Sequence, residues 1–198
     1  MNSSLKTESS EKRCILGAKA TTIVPSLCIK PESVAASWEA VIALTSEVSS
    51  SRSLICFNQS EDPRTAQYSI KAADCYEKYL QISGYSGVAI EIPYEGTTLP
   101  GHFYRSPVTE EKAPLIILVP GRDTWAEDTR WLYDGLLKRC IHCLCFDGTG
   151  QGTPIRIQKL PFRPDFENVM TPVIDYALKT FPEIDGERIC QDISTGHR

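Results

Sequence analysis

The spacing of apolar residues changes near Gly87 and divides the chain into two parts. Upstream, apolar side chains recur every three or four residues, as on one face of an α-helix. This spacing predicts one helix beginning at Pro31 and a second that begins after Ser60–Pro63 and ends near Gln81. The second helix is expected to bury one face, made up of Ala66, Ile70, Ala73, Tyr76, Glu77 and Leu80. Residues 1–30 are weakly patterned and expected to be weakly ordered or disordered, followed by a helical, cap-like segment over 31–87.

Downstream of Gly87, the pattern becomes that of strands. Val88–Tyr94 alternates with period two and Leu99–Arg105 follows a Glu95-Gly96 turn, which predicts a β-hairpin. Three apolar strands are then predicted, over Leu115–Val119, Ile141–Phe146 and from Arg188 towards Ser194, separated by helices over Glu127–Lys138 and from Asp165 to Leu178. The fold class is therefore α/β: a hairpin and three parallel, helix-connected strands, preceded by a helical segment.

Composition narrows the class of protein. The chain has 198 residues, of which 41% are hydrophobic and 23% charged, with a net charge of −4. This acidic balance and the lack of a Lys/Arg stripe argue against nucleic-acid binding. The longest apolar runs have strand length, too short for a membrane span. The polar stretch Met1–Lys12 lacks the apolar centre of a secretory signal, so a cytoplasmic location is expected.

Three of the eight cysteines stand close together, with the spacing C-x-x-C-x-C over Cys140, Cys143 and Cys145. A metal site is one interpretation. However, strand alternation directs Cys143 and Cys145 to one face, and no matching second pair follows. Buried thiols are therefore favoured. We expect neither a metal nor a cofactor.

The glycine-rich run Asp147–Gly152 invites comparison with dinucleotide-binding loops. Its spacing is G-x-G-x-G, and its acidic residue precedes the first glycine, whereas the dinucleotide fingerprint is G-x-G-x-x-G. A structural turn after the strand is the favoured interpretation.

The last predicted strand ends in Asp192–Gly196, which departs by one residue from G-x-S-x-G. That motif exposes a nucleophilic serine on a tight strand-to-helix turn. Ser194 occupies the serine position. A serine at the end of a strand can also be purely structural, and Asp192 adds a side chain and a charge where the motif has glycine.

Five ordered blocks between Val88 and Gly196 together resemble the α/β-hydrolase superfamily. They are Ile92–Gly96, Leu99–Tyr104, Pro120–Asp123, Phe146–Gly152, and Phe162–Glu167 with Pro172–Tyr176. The resemblance is to the branch of FrsA-type esterases, dihydropseudooxynicotine hydrolase and fungal polyketide-tailoring hydrolases of the pigment-heptaketide and fusarin or cytochalasan types. It implies that residues 88–198 form the N-terminal half of a hydrolase domain, C-terminally truncated at the nucleophile turn.

The same resemblance implies roles for individual residues. Ser194 would be the nucleophile, and the backbone N–H groups of Arg122 and Thr195 would form the oxyanion hole. Alternatively, Gly121 simply permits a tight turn after its strand. The acid and base of the triad would follow Ser194 in the order Asp, then His, beyond residue 198. The histidines at positions 102, 142 and 197 are poor substitutes by their placement.

Two functional hypotheses follow. One is a serine hydrolase acting on an ester, thioester or activated C–C bond of a small, polyketide-like secondary metabolite. The other is a truncated or mis-spliced, catalytically inactive chain that retains at most a binding role. If the sheet ends at the last strand, its unpaired edge is expected to favour association, and a homodimer is the simplest such assembly.

Overall fold

A computed structural model of the protein describes residues 64–83, 87–109, 111–121 and 124–193. The predicted helix beginning at Pro31, the helix start at Ser60–Pro63 and the N-terminal 30 residues lie outside these ranges. The secondary structure elements are α1 (Arg64–Ser83), β1 (Gly87–Tyr94), β2 (Thr97–Tyr104), β3 (Ala113–Val119), a 3₁₀-helix (Ala126–Thr129), α2 (Arg130–Leu137), β4 (His142–Phe146), α3 (Gly152–Arg156), α4 (Glu167–Thr180) and β5 (Ile184–Ile193). None of the helices in the described ranges has the length and apolar character needed to cross a bilayer.

The five strands form one mixed sheet in the order β1-β2-β4-β3-β5. β1 and β2 are an antiparallel hairpin, β2 pairs antiparallel with β4, and β3 runs parallel to both β4 and β5. The hairpin turn has positive φ at both central residues, 41° at Glu95 and 82° at Gly96, as required when a two-residue loop follows the twist of the strands. The predicted α/β fold with three parallel strands is confirmed.

The central strands of the sheet are buried on both faces, and their side chains alternate between two apolar cores. Leu115, Ile117 and Val119 of β3 lie in the first core, whereas Leu118 lies in the second. α4 covers the first face with Val169, Met170, Val173 and Ala177. The second face is covered by α1, the 3₁₀-helix and α2. The central strand β4 is buried along its whole length, as the continuous apolar run predicted.

The face that α1 buries differs from the predicted one. Ile70 is 54% exposed, and the buried residues are Thr65, Ser69, Ala72, Cys75, Tyr76, Tyr79 and Leu80. The helix is rotated towards its tyrosines because the Tyr76 hydroxyl finds hydrogen-bonding partners there, at 2.9 Å from the hydroxyl of Tyr104 and 2.8 Å from that of Tyr133. The hydrogen bonds of the tyrosine hydroxyl groups, rather than the number of apolar residues, therefore determine which face of α1 is buried.

The helix predicted over Glu127–Lys138 is divided in two. Its first turn is the 3₁₀-helix Ala126–Thr129, and the α-helix begins at Arg130. Tyr133 and Leu137 are buried, while Leu132 and Leu136 are half-buried. The inward face is therefore centred on Tyr133, whose ring stacks on Tyr104 with centroids 4.0 Å apart.

Candidate active site

The carboxyl ends of the three parallel strands define one edge of the sheet. Val119 at the end of β3 pairs with Ile193 at the end of β5, and Leu118 pairs with Cys145 of β4. The residues that follow these strands therefore begin next to one another. In open α/β sheets, ligands bind at this edge, outside the carboxyl ends of the strands.

The predicted nucleophile and oxyanion donors follow two of these strand ends. Ser194, Thr195 and Arg122 all lie outside the described residues, so their roles remain predictions. Gly121 is described, and its carbonyl accepts hydrogen bonds from the backbone N–H of Thr124 at 3.2 Å and from its hydroxyl at 3.0 Å. The segment after β3 is thus a hydrogen-bonded turn that begins two residues beyond Val119.

Gln151 connects the loop after β4 to this turn. Its side chain is 1% exposed, and both ends of its amide are engaged. The oxygen accepts the backbone N–H of Gly148 at 2.9 Å, and the nitrogen donates to the carbonyl of Pro120.

Asp147 binds the C-terminal end of the segment that follows β3, at Ala126. One carboxylate oxygen accepts the N–H of Ala126 at 2.8 Å, and the other accepts the N–H of Thr153 at 3.2 Å. The carboxylate is approached so closely by Gly152, which has φ of +35°, that a Cβ there would lie 1.8 Å from Oδ2. Asp147–Gly152 is therefore a structural turn, as predicted, and the side chains of Asp147 and Gln151 are hydrogen-bonded to the protein's own backbone.

Arg156 and Trp125 meet beside this turn. The guanidinium carbon lies 4.2 Å from the centroid of the indole ring, a cation–π geometry, and Nη1 donates to the carbonyl of Gly152 at 3.1 Å. Trp125 itself is buried. The contact ties the end of α3 to the residue that immediately precedes the 3₁₀-helix.

The two described histidines are built into the cores. His102 on β2 is buried with its ring edge-on to Tyr76, at a centroid distance of 5.1 Å. His142 pairs with Leu115, near the opposite edge of the sheet, and its Nδ1 accepts the N–H of Ser106 at 3.0 Å. Burial lowers the pKa of His142, which favours the neutral imidazole. The third candidate, His197, lies outside the described residues.

The thiols of Cys143 and Cys145 lie on one face of β4, in the second core, as the strand alternation predicted. Burial raises the pKa of Cys145 to about 12 and also raises that of Cys143. The hydroxyl of Thr129 donates to the Cys145 sulfur at 3.2 Å. Within the described ranges, no three His, Cys, Asp or Glu residues are grouped so that they could hold a metal ion.

Sequence reasoning did not find the roles of Gln151 and Asp147. Both residues belong to the glycine-rich run that predicts a turn, but a turn does not specify side-chain partners. Their partners, Pro120 and Ala126, lie 31 and 21 residues away in the chain. The one available signal was the placement of two hydrogen-bonding side chains directly after a fully buried strand, where backbone groups need partners.

Comparison with known proteins identifies relatives with this fold. No family model matches the chain. It is 31% identical over 121 residues to the α/β hydrolase xenA of Xenoacremonium sinensis, a match that covers 59% of this chain and 28% of the relative. It is 35% identical over 123 residues to the hydrolase LUC6 of a Fusarium species, covering 60% of this chain and 29% of the relative. It is 31% identical over 131 residues to the 20-hydroxy-prefusarin hydrolase FUS2 of Gibberella moniliformis, covering 63% of this chain and 31% of the relative.

Solved structures show the same architecture. The 2,6-dihydroxy-pseudo-oxynicotine hydrolase superimposes with a TM-score of 0.61 at 20% identity, covering 81% of this chain and 48% of that structure. AbyA5 superimposes with a TM-score of 0.58 at 14% identity, covering 82% of this chain and 46% of that structure. The chain has the fold of these solved structures, and its sequence is similar to those of fungal α/β hydrolases. It spans less than a third of the length of the three sequence relatives named above.

Proposed function

We propose that the protein is a serine hydrolase in which Ser194 is the nucleophile. The observation that carries the proposal is the pairing of Val119 with Ile193, because Ser194 and the Gly121 turn follow these two residues at one edge of the sheet. A nucleophile and an oxyanion-binding loop on adjacent parallel strands are the arrangement that acyl transfer in this fold requires. The sequence relatives named as hydrolases support the same class of reaction.

The proposed reaction proceeds through an acyl-enzyme. The Ser194 hydroxyl oxygen attacks the carbonyl carbon of the substrate, its proton passes to a general base, and the carbonyl electrons move onto oxygen. The backbone N–H groups of Arg122 and Thr195 stabilise the resulting oxyanion. Collapse of the intermediate breaks the bond to the leaving group, which departs with the electron pair and a proton. Water then attacks the acyl carbon and regenerates Ser194.

The general base is proposed to come from outside the described residues. His102 is enclosed by the aromatic rings of Tyr76 and Tyr104, and His142 uses Nδ1 to accept the Ser106 N–H near the other edge of the sheet. Neither imidazole is placed to receive a proton at the carboxyl ends of β3 and β5. An Asp–His pair that follows Ser194 in the complete hydrolase is the arrangement typical of this fold.

The proposed substrate is an ester, thioester or activated C–C bond of a small, polyketide-like secondary metabolite, and the location is proposed to be cytoplasmic. Support for the substrate class comes from the relative that is named as a hydrolase of 20-hydroxy-prefusarin.

The experiment is active-site labelling with a fluorophosphonate probe, combined with hydrolysis of p-nitrophenyl acetate, on the complete hydrolase that includes the proposed Asp–His pair. The serine oxygen forms a bond to phosphorus as fluoride leaves, so labelling requires an activated serine. We expect a single adduct on the peptide that contains Ser194, lost in Ser194→Ala and retained in Ser83→Ala, a control at the end of α1. Labelling that persists in Ser194→Ala would refute the assignment.

Asp192 favours a second candidate function, that of a binding protein without hydrolytic activity. The motif G-x-S-x-G has glycine at this position, and a carboxylate there would oppose the negative charge that develops on a nearby oxyanion. Under this alternative, Ser194 is not labelled, and Asp192→Gly does not produce labelling. Recovery of labelling in Asp192→Gly would instead identify a hydrolase turn that is impaired by this one side chain.

A further inference from the structure

His142 lies at the amino end of β4, where it connects three parts of the fold. It is 1% exposed, and its Nδ1 accepts the backbone N–H of Ser106 at 3.0 Å. Ser106 follows β2, is equally buried, and donates its hydroxyl to the carbonyl of Leu137 at the end of α2, at 2.6 Å. One histidine and one serine therefore join the segment after β2 to both β4 and α2.

The hydrogen bond from Ser106 is possible in only one protonation state of the imidazole. A backbone N–H can only donate, so Nδ1 must carry a lone pair, and the single hydrogen of the neutral ring is on Nε2. The imidazolium ion carries a hydrogen on both nitrogens. Protonation of His142 would therefore place two N–H groups against each other at a buried site, and the Ser106 N–H would lose its acceptor.

The charged groups that act on His142 oppose each other. Glu183, which precedes β5, would attract an imidazolium ion, whereas Arg105, which precedes Ser106, would repel it. These two groups are paired with one another, since Nε of Arg105 donates to Oε1 of Glu183 at 3.0 Å. The neighbouring ring of Phe103 on β2 is uncharged, with its centroid 5.7 Å from that of the imidazole. Burial is the largest influence and lowers the pKa of His142, so the neutral ring is favoured.

The segment after β2 forms a short turn at residues 106–108. The Ser106 hydroxyl accepts the backbone N–H of Val108 at 3.3 Å, while the side chain of Val108 extends into solvent. The turn is thus attached to the rest of the fold at Ser106, through the N–H bond to His142 and the hydroxyl bond to Leu137. We expect the turn to move as a unit when the bond to His142 is lost.

We propose that His142 is an acid-sensitive latch: its neutral imidazole holds the turn at residues 106–108 at the amino edge of the sheet, and its protonation releases that turn. The latch lies at the edge opposite to the candidate active site, so it does not depend on the proposed hydrolase chemistry. Because the released histidine binds a proton more readily than the buried one, the hydrogen bond is complete above about pH 6.5 and is lost as the pH falls.

Hydrogen exchange at the Ser106 amide measures the latch directly, because this amide is the donor. NMR of the full chain at pH 7.5 and pH 5 gives its protection factor, the ratio of the intrinsic to the measured exchange rate at each pH. We expect the protection factor to be about 10- to 30-fold lower at pH 5, the factor that follows when a released histidine with a pKa of about 6.5 binds a proton that the buried one excludes. An unchanged protection factor would refute the latch.

Two substitutions of His142 separate the hydrogen-bond acceptor from the charge. Asparagine places its side-chain oxygen where Nδ1 lies and does not titrate, so His142→Asn should abolish the fall in Ser106 protection between pH 7.5 and pH 5. Phenylalanine retains the volume of the ring but has no acceptor, so His142→Phe should have low protection at both pH values. If one variant does not fold, the other decides.

The matched control is His102→Asn, the same substitution at a buried histidine on β2 that does not bond to Ser106. This variant should keep the pH dependence of the wild-type chain. A fall in Ser106 protection that persists in His142→Asn, or wild-type protection in His142→Phe at pH 7.5, would show that His142 does not hold the turn.

A series of low urea concentrations at pH 5 separates release of the turn from unfolding of the sheet. Release of a short turn exposes little surface, so exchange at Ser106 should depend only weakly on urea. The amide of Ile117, in β3 between β4 and β5, should instead show the strong dependence of global unfolding. The same strong dependence at both amides would mean that protonation of His142 destabilises the whole fold, which would overturn the latch.

Discussion

The hydroxyl of Tyr76 on α1 lies 2.9 Å from the hydroxyl of Tyr104 on β2, and this pair joins the helical segment to the sheet. A third hydroxyl, of Tyr133 on α2, lies 2.8 Å from that of Tyr76. One buried oxygen therefore connects three elements on the same face of the sheet. We expect the packing of α1 to depend on these polar contacts as well as on apolar burial.

Removing the central hydroxyl tests this dependence. Tyr76→Phe should reduce the free energy of unfolding by about 1–3 kcal/mol, because two buried hydroxyls each lose a partner. Urea unfolding measures the change. Tyr68→Phe, a half-buried residue on the same helix, is the matched control and should change the free energy by less than about 0.5 kcal/mol. Equal effects of the two substitutions would contradict the proposed importance of the network.

The same tyrosines predict a loss of stability in alkali. Burial raises the pKa of Tyr76 from 10.0 to about 12 and also raises the pKa values of Tyr104 and Tyr133. Because the folded state holds these protons more tightly than the unfolded state, the stabilisation is complete below about pH 10 and is lost as the pH rises further. Absorbance at the tyrosinate band should show these groups ionising together with unfolding. Ionisation near pH 10 in the folded protein would contradict this expectation.

A methyl group at position 152 should disrupt the turn after β4. In Gly152→Ala the new Cβ would lie 1.8 Å from Oδ2 of Asp147, on a backbone with φ of +35°. The carboxylate must move, which threatens its hydrogen bonds to Ala126 and Thr153, and we expect a loss of about 2–4 kcal/mol in the free energy of unfolding.

Gly135→Ala provides the comparison for this prediction. Gly135 is in α2, and the new methyl group would meet the flexible end of the Arg139 side chain, at 3.3 Å. Alanine favours a helix, so this substitution should be neutral or stabilising by up to about 1 kcal/mol. Thermal unfolding of both variants, followed by circular dichroism, measures the contrast. A similar melting temperature for the two would refute the steric argument.

The described cysteines should differ strongly in reactivity. Cys190 on β5 is exposed, whereas Cys143 and Cys145 are buried and have raised pKa values. Because the thiolate is the reactive form, a maleimide at pH 7 should modify Cys190 rapidly and the two β4 thiols only on unfolding. Peptide mapping by mass spectrometry identifies the sites, with Cys190→Ser as the control. Rapid modification of Cys145 in the native protein would contradict the burial described for β4.

The sheet was predictable because its signals are local. The Glu95-Gly96 turn sits between two alternating segments, and the apolar runs at β3 and β4 are too continuous for a surface element. The inward face of α1 was not predictable from apolar spacing, since it is centred on tyrosines and includes Thr65 and Ser69. Whether a hydroxyl faces inward depends on hydrogen-bonding partners on β2 and α2. The spacing of residues along α1 contains no information about these partners.

The predicted site residues Ser194, Thr195 and Arg122 lie outside the described residues and stay predictions. Gly121, predicted to follow the first long apolar strand, does follow β3. The hydrogen bonds of Gln151 and Asp147 could not be derived, because each reaches a backbone group on another loop. A single polar residue has no periodicity, so only the three-dimensional arrangement shows its partner.

The strand order also has a consequence for how the chain folds. The β1–β2 hairpin joins residues close in sequence and can form early, whereas β4 must enter between β2 and β3 before the central pairs exist. Such non-local pairs carry the entropic cost of closing long loops, and they therefore slow folding. Folding should therefore proceed from a rapidly formed hairpin to a slower step in which β4 docks, and substitutions in β4 should slow that step more than substitutions in β1.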